Sequence, residues 1–172
     1  MPTTATIATD KGDIVIDLHV AGAPKAAANF LALARCGLYD KTIFHRIVPG
    51  FVIQGGDVLW GKQPIFNWPR VGTGGPGYTI PDDPVTTPYA RGVVAMARTS
   101  APNSQGSQFF IVLDDEAAGS LSKANNYAIL GHVVEGMDAV DVIAATPTTT
   151  DGRYAPITDP PPQIDKATVS GP

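Results

Sequence analysis

The sequence is short of charge, of cysteine and of long apolar runs, and each shortage narrows what the chain can do. Only 16% of its 172 residues are charged, the net charge is −4, and the lysines and arginines are scattered. A surface that tracks a phosphate backbone needs clustered basic residues, so nucleic-acid binding is not expected. The single cysteine, Cys36, has no partner for an internal disulfide, which suits a reducing compartment. Set beside apolar helix residues, it reads as a buried small hydrophobe rather than a reactive thiol. No stretch approaches the roughly 18 apolar residues of a membrane span, and the opening "MPTTATIATDKGD" lacks the basic patch and apolar core of a signal peptide. The expectation is a soluble cytoplasmic protein with no membrane association. The three histidines, His19, His45 and His132, are far apart and in no metal-type pairing, so no metal site is expected. No nucleophile elbow is present either.

What the chain does have is glycine and proline, 18 and 16 residues, beside 44% apolar residues. That composition fits one globular domain, residues 1–172, rich in turns and ordered loops and mainly β. Thr4–His19 reads as a hairpin: Ile14, Ile16 and Leu18 alternate with Val15 and Asp17, and Asp10-Lys11-Gly12 supplies the turn. "APKAAANFLALARCGLYD" reads as a helix that starts near Pro24, buries Phe30, Leu31, Leu33 and Ala34, and ends before Gly37. Strands are predicted in "TIFHRIV", "FVIQGGD", "GVVAMAR", "SQFFIVL", "YAILGHVV" and "DKATVSG". A second helix is predicted in "EGMDAVDVIAATP", with Met137, Val140, Ile143 and Ala144 at helical spacing and Pro147 as its stop. Val58 to Thr87 reads as ordered loop. "GTGGPG" (Gly72–Gly77) is not followed by a helix, so it reads as a structural loop rather than a phosphate cradle. Eight strands and two helices without strand–helix alternation predict an antiparallel barrel with helices at its ends.

Two segments carry more than composition. "FHRIVPGFVIQGGD" (44–57) and "PNSQGSQFFI" (102–111) resemble the two signature motifs of the cyclophilins, a family of peptidyl-prolyl cis–trans isomerases. Between them, "GTGGPGY" and "GVVAMAR" resemble the intervening glycine loop and strand, and the likeness runs from the first hairpin to the last strand. The resemblance implies a closed eight-stranded antiparallel barrel capped by two helices. It also implies rotation about X-Pro bonds in peptides and in unfolded or folding proteins, without a cofactor.

Such a reaction explains why the first motif holds an arginine but no nucleophile. Turning an X-Pro bond breaks no covalent bond; its barrier of about 18–20 kcal/mol is the loss of amide resonance. The twisted prolyl nitrogen gains a lone pair, which a cation with directed donors stabilises far more than it stabilises the planar amide. Arg46 fits that task, being permanently charged with a rigid fork of donors. By resemblance, Phe51, Met96, Phe110 and Leu121 match the apolar pocket for the proline ring. Gln54 matches the residue that bonds the peptide backbone and steadies the arginine. Gln108 lines the same groove, as do Ala97, Arg98 and Tyr127. The catalytic set is then Arg46, Phe51 and Gln54, and plain strand alternation would separate Phe51 from Gln54 unless a bend or bulge re-aims one. His45 points away from Arg46 in a regular strand, so a structural role is expected for it.

The chain departs from well-known members at three positions: Arg98 replaces an asparagine, Tyr127 a pocket histidine, and Ser120 a rim tryptophan. An insertion, "LWGKQPIFNWPRV" (59–71), holds both tryptophans; it reads as a packed loop with buried indoles rather than a flap over the substrate. A proline-peptide binding or chaperone-like module is the alternative function, disfavoured because Arg46, Phe51 and Gln54 are all present. Scattered charge gives no sign of a dimer surface, so a monomer is expected.

Overall fold

The computed structural model describes residues 3–64 and 67–171. Its chain begins with the expected hairpin, β1 (Thr4–Thr9) and β2 (Gly12–Leu18), which pairs Ala5 with Ile16 and Ile7 with Ile14 on a buried face. Helix α1 (Pro24–Arg35) follows, with Pro24 in its first turn, where no intrahelical donor is lost. Ala23 offers no capping side chain; instead Asp83, from a distant loop, accepts the Ala26 N–H at 2.8 Å. Phe30, Leu31, Leu33 and Ala34 are buried as expected. Cys36 is not: it sits just past the helix end, two residues beyond the buried stripe, and is exposed.

The next strands are β3 (Phe44–Val48), β4 (Val52–Gly55), β5 (Val93–Met96) and β6 (Phe109–Val112). Helix α2 (Asp115–Ala124), β7 (Ile129–Glu135), α3 (Met137–Ala144) and β8 (Ile164–Ser170) complete the chain. Neighbours in the sheet are antiparallel, in the order β3-β4-β6-β5-β7-β2-β1-β8. The sheet curls until β3 and β8 approach, but no ladder joins them. The seam is an isolated Ile43–Gln163 bridge with bonds from Lys41 to Ile164 (2.7 Å), Ile164 to Thr42 (2.7 Å) and Phe44 to Pro162 (2.9 Å). "Closed" therefore overstates the expected barrel; the strands make a curled, nearly closed sheet.

Three helices, not two, accompany it among the described residues. The one not anticipated is α2, whose segment buries only Ala117 and Leu121 and so carries little periodic signal. It forms through its ends. Asp114 accepts the Glu116 N–H at 2.8 Å, Asp115 and Glu116 favour the positive N-terminus, and Asn125 takes the left-handed cap at φ 45°.

Two apolar layers result. Inside the curl, among aliphatic residues, Phe109 meets Phe30 and Tyr39 edge-on while those two rings lie tilted at 33°, with ring centroids 4.9–5.6 Å apart. Outside it, α2 and the loop before β5 cover a second cluster that includes Val52, Tyr89, Ala95, Phe110 and Leu121. The middle strands are thus buried on both faces, and the site develops in the outer layer.

Candidate active site

Arg46 on β3 lies directly opposite Gln54 on β4, and Gln54 opposite Phe110 on β6. Opposed residues of adjacent strands share a face, so the three converge. Phe51 joins them without a bulge, because it stands in the turn before β4 rather than in the strand. The register irregularity of this pair of strands lies instead between Phe44 and Arg46. Arg46, Phe51, Val52, Gln54, Ala97, Arg98, Phe110, Leu121 and Tyr127 line one cavity of about 190 Å³. Drug-sized sites run from about 300 to 1,000 Å³, so this one suits a single small ring. Its floor is apolar: Phe110 packs edge-on against Tyr127 at 5.4 Å, and Leu121 reaches in from α2. Tyr127 is itself held by Tyr89, whose hydroxyl donates to the Tyr127 carbonyl at 2.8 Å and accepts its N–H at 3.1 Å.

Met96 is the exception among the expected pocket residues. It is fully buried in the inner layer, because alternation on β5 sends Ala95 and Ala97 outward and Met96 inward. The apolar wall residue that sequence reasoning missed is Val52, beside Phe51. Its parity with Gln54 in "FVIQ" was the available signal.

The Arg46 side chain makes no hydrogen bond or ion pair among the described residues, although it lines the cavity. Arg98 contrasts with it. Its guanidinium donates to Asp82 (2.7 Å) and to the carbonyls of Thr99 (3.2 Å), Ala101 (2.9 Å) and Asn126 (3.2 Å), and its side chain is 6% exposed. Arg98 is thus a tie between loops whose charge is already matched, and it presents only an edge to the cavity.

A second cavity, about 670 Å³, shares Gln54, Ala97 and Arg98 with the first. The glycine loop walls it, and no helix follows those glycines. Gln108 stands in its wall and accepts the Gln54 amide N–H at 3.0 Å. His45 lies behind the site, 6% exposed and lining neither cavity. Burial lowers its pKa from 6.5 to about 4, against the attraction of Asp57. An imidazole enclosed in this way, lining neither cavity, has no contact through which to pass a proton to a ligand in the groove.

The insertion is less buried than expected. Trp60 is half-buried, with the Arg70 guanidinium 4.7 Å from its ring centre, and Trp68 is exposed. Neither indole lines the two cavities. Ile65 and Phe66 of this segment lie outside the described residues. Ser120, one residue before Leu121, is exposed on α2 at the rim. Among the described residues there is no cluster of His, Cys, Asp or Glu suited to a metal, and no helix long and apolar enough to cross a membrane.

Comparison with known proteins places this arrangement. The family described as "Cyclophilin type peptidyl-prolyl cis-trans isomerase/CLD" matches residues 4–169. A probable peptidyl-prolyl cis-trans isomerase of Brucella suis is 40% identical over 168 residues, 96% of this chain and 82% of that protein. Peptidyl-prolyl cis-trans isomerase B of Escherichia coli is 37% identical over 175 residues, covering 96% of this chain and 98% of the relative. A cyclophilin-type isomerase of Cryptosporidium parvum, crystallised in the presence of the dipeptide Ala-Pro, superimposes with a TM-score of 0.80. That pair is 31% identical, with coverage of 98% of this chain and 99% of the other. With a match of this extent at the level of sequence and of fold, the chain belongs to the cyclophilin-type peptidyl-prolyl cis-trans isomerases.

Proposed function

We propose that Arg46, Phe51 and Gln54 form the isomerase centre, that the proline ring of an extended peptide enters the 190 Å³ cavity, and that catalysis is electrostatic and non-covalent. The observation that carries this reading is the unengaged guanidinium of Arg46 at the mouth of a ring-sized cavity with an apolar floor. Phe51, Val52, Phe110 and Leu121 grip the ring, which leaves the amide group preceding it at the polar edge near Arg46 and Gln54. As the amide twists, its nitrogen becomes basic, and Arg46 donates to it. In the planar ground state that nitrogen offers no lone pair, so the interaction is made mainly at the top of the barrier. Gln54 contributes an amide that bonds the peptide backbone, keeping one side of the rotating bond still. The larger cavity continues the groove and receives a neighbouring side chain of the peptide.

The substrates are proline-containing peptides and unfolded or folding chains, in keeping with the Ala-Pro dipeptide used with the Cryptosporidium relative. The exposed, unpaired thiol of Cys36 supports a reducing, cytoplasmic setting, to be checked by cell fractionation, and the scattered charge fits a monomeric enzyme, to be checked by sedimentation. Measuring cis-to-trans relaxation of a short Ala-Pro peptide tests the centre. Arg46→Ala is expected to lower kcat/KM on the order of a hundredfold, about 3 kcal/mol of barrier, with a much smaller change in peptide affinity. Near-wild-type turnover in that variant defeats the mechanism.

A further inference from the structure

Asp57 is a fully buried acid that the mechanism above does not use. Its carboxylate accepts four backbone N–H groups. Oδ1 takes those of Leu59 (3.1 Å) and Trp60 (2.8 Å), and Oδ2 those of Gly72 (2.7 Å) and Gly74 (3.0 Å). The first pair opens the excursion that contains the insertion and the second pair ends it, so one side chain grips both ends. Four N–H donors are also what a buried carboxylate without a salt-bridge partner requires. The fit leaves no slack: a Cβ on Gly74 would run into Asp57 Oδ1, and Gly72 holds φ +92° with a would-be Cβ 3.3 Å from the His45 ring.

The grip has a consequence at the groove. With their N–H groups turned toward Asp57, Gly72 and Gly74 both offer their carbonyls to Gln108 Nε2, at 2.9 and 2.8 Å. An amide nitrogen has two protons, and both are now engaged. The group Gln108 has left for Gln54 is its oxygen, which accepts from Gln54 Nε2 at 3.0 Å. The direction of the Gln54 amide follows: its nitrogen is tied back to Gln108 and its oxygen remains as an acceptor. A reversed amide would offer a donor where the arginine and a peptide N–H both need an acceptor.

We propose that Asp57 is a positioning residue for catalysis, setting the orientation of the Gln54 amide through the Gly72–Gly74 backbone and Gln108. The proposal rests on the reading of Gln54 as a substrate contact. It is tested with Asp57→Asn, Gln54→Ala and the double variant, using peptide relaxation and the side-chain amide signals of Gln54 in ¹H–¹⁵N spectra. Asp57→Asn replaces one acceptor oxygen by a donor, so two of the four N–H groups lose their acceptor whichever way the amide lies. The expected result is a loss of kcat/KM of about ten- to a hundredfold in the wild-type background. In the Gln54→Ala background the further loss should be under about twofold, because the two changes act on one unit. The Gln54 amide signals should shift. An equal loss in both backgrounds, or unmoved Gln54 signals, overturns the proposal while leaving the reading of Gln54 intact. Full activity in Gln54→Ala itself overturns that reading and the proposal with it. If Asp57→Asn lacks the native circular-dichroism spectrum, Gly74→Ala replaces it with the same expectations, since its methyl displaces the same segment and retains the carboxylate.

Discussion

Lowering the pH from 7 to 5 loads a proton onto His45 in the unfolded chain that the native protein does not accept. The ring is almost wholly enclosed, its Nδ1 has no partner, and burial lowers its pKa from 6.5 to about 4. The groups around it pull in opposite directions, Asp57 favouring the imidazolium and Arg46 opposing it, while the nearby Gln108 side chain also favours it. Between those two values the unfolded state binds more protons than the native state, so stability falls as the pH falls. The stabilisation is complete above about 6.5, declines most steeply between about 6 and 4.5, and is gone below about 4. A gap of about 2.5 units at 1.36 kcal/mol each amounts to about 3 kcal/mol. Out of the roughly 5–15 kcal/mol that holds a typical domain, that is a large share. Urea unfolding of wild type and His45→Gln at pH 7, 6, 5 and 4 measures it as the difference between the two curves, since the remaining carboxylates are common to both. Parallel curves across that range would refute the reasoning.

The same neutral histidine predicts that kcat/KM is nearly flat between about pH 6 and 8, because no step moves a proton; a bell-shaped profile that disappears in His45→Gln would make His45 a catalytic base after all. Met96→Ala should lower stability by about 2–5 kcal/mol through the cavity it leaves in the inner layer, with kcat/KM of the folded protein within a few-fold of wild type. A collapse of activity at unchanged stability would return Met96 to the substrate pocket. In cyclosporin-sensitive relatives the drug's apolar rim lies against the tryptophan that aligns with Ser120. The missing indole at this exposed rim position predicts binding weaker by roughly 30- to 1000-fold, about 2–4 kcal/mol, partly recovered by Ser120→Trp. Nanomolar inhibition of the wild-type protein in the relaxation assay would contradict it.

Much of this molecule is local and was legible as such. The β1–β2 hairpin follows from alternating Ile14, Ile16 and Leu18 around an Asp-Lys-Gly turn, and α1 from its proline start, alanine-rich body and following glycine. The two motifs named the family and brought Arg46, Phe51 and Gln54 forward together, because a reaction without a nucleophile leaves few chemical roles to distribute. Helix α2 was not legible. Its stability comes from Asp114, the early acids and the left-handed Asn125, and its two buried residues act only once the outer face of the sheet is there to receive them.

Which face a residue serves was decided by tertiary structure alone in the middle strands. "VVAM" and "FFIV" are buried at every position, so they carry no alternation from which to tell the pocket side from the core side. Only the covering by α1 within the curl and by α2 outside it sends Met96 inward and Phe110 outward. The exposure of Cys36 likewise depends on where α1 stops packing, at Ala34 two residues before it. The orientation of Gln54 depends on bonds between residues 54 apart in sequence, through a loop whose shape is held by a buried carboxylate. Periodicity and turn chemistry reach a few residues along the chain, so the sequence by itself determined the strands, α1 and α3, and its two motifs supplied the residues proposed for catalysis. Burial on both faces and hydrogen bonds across long sequence separations exist only after folding, and they decided which way the residues of the middle strands face, the seam of the sheet and the aim of the groups in the groove.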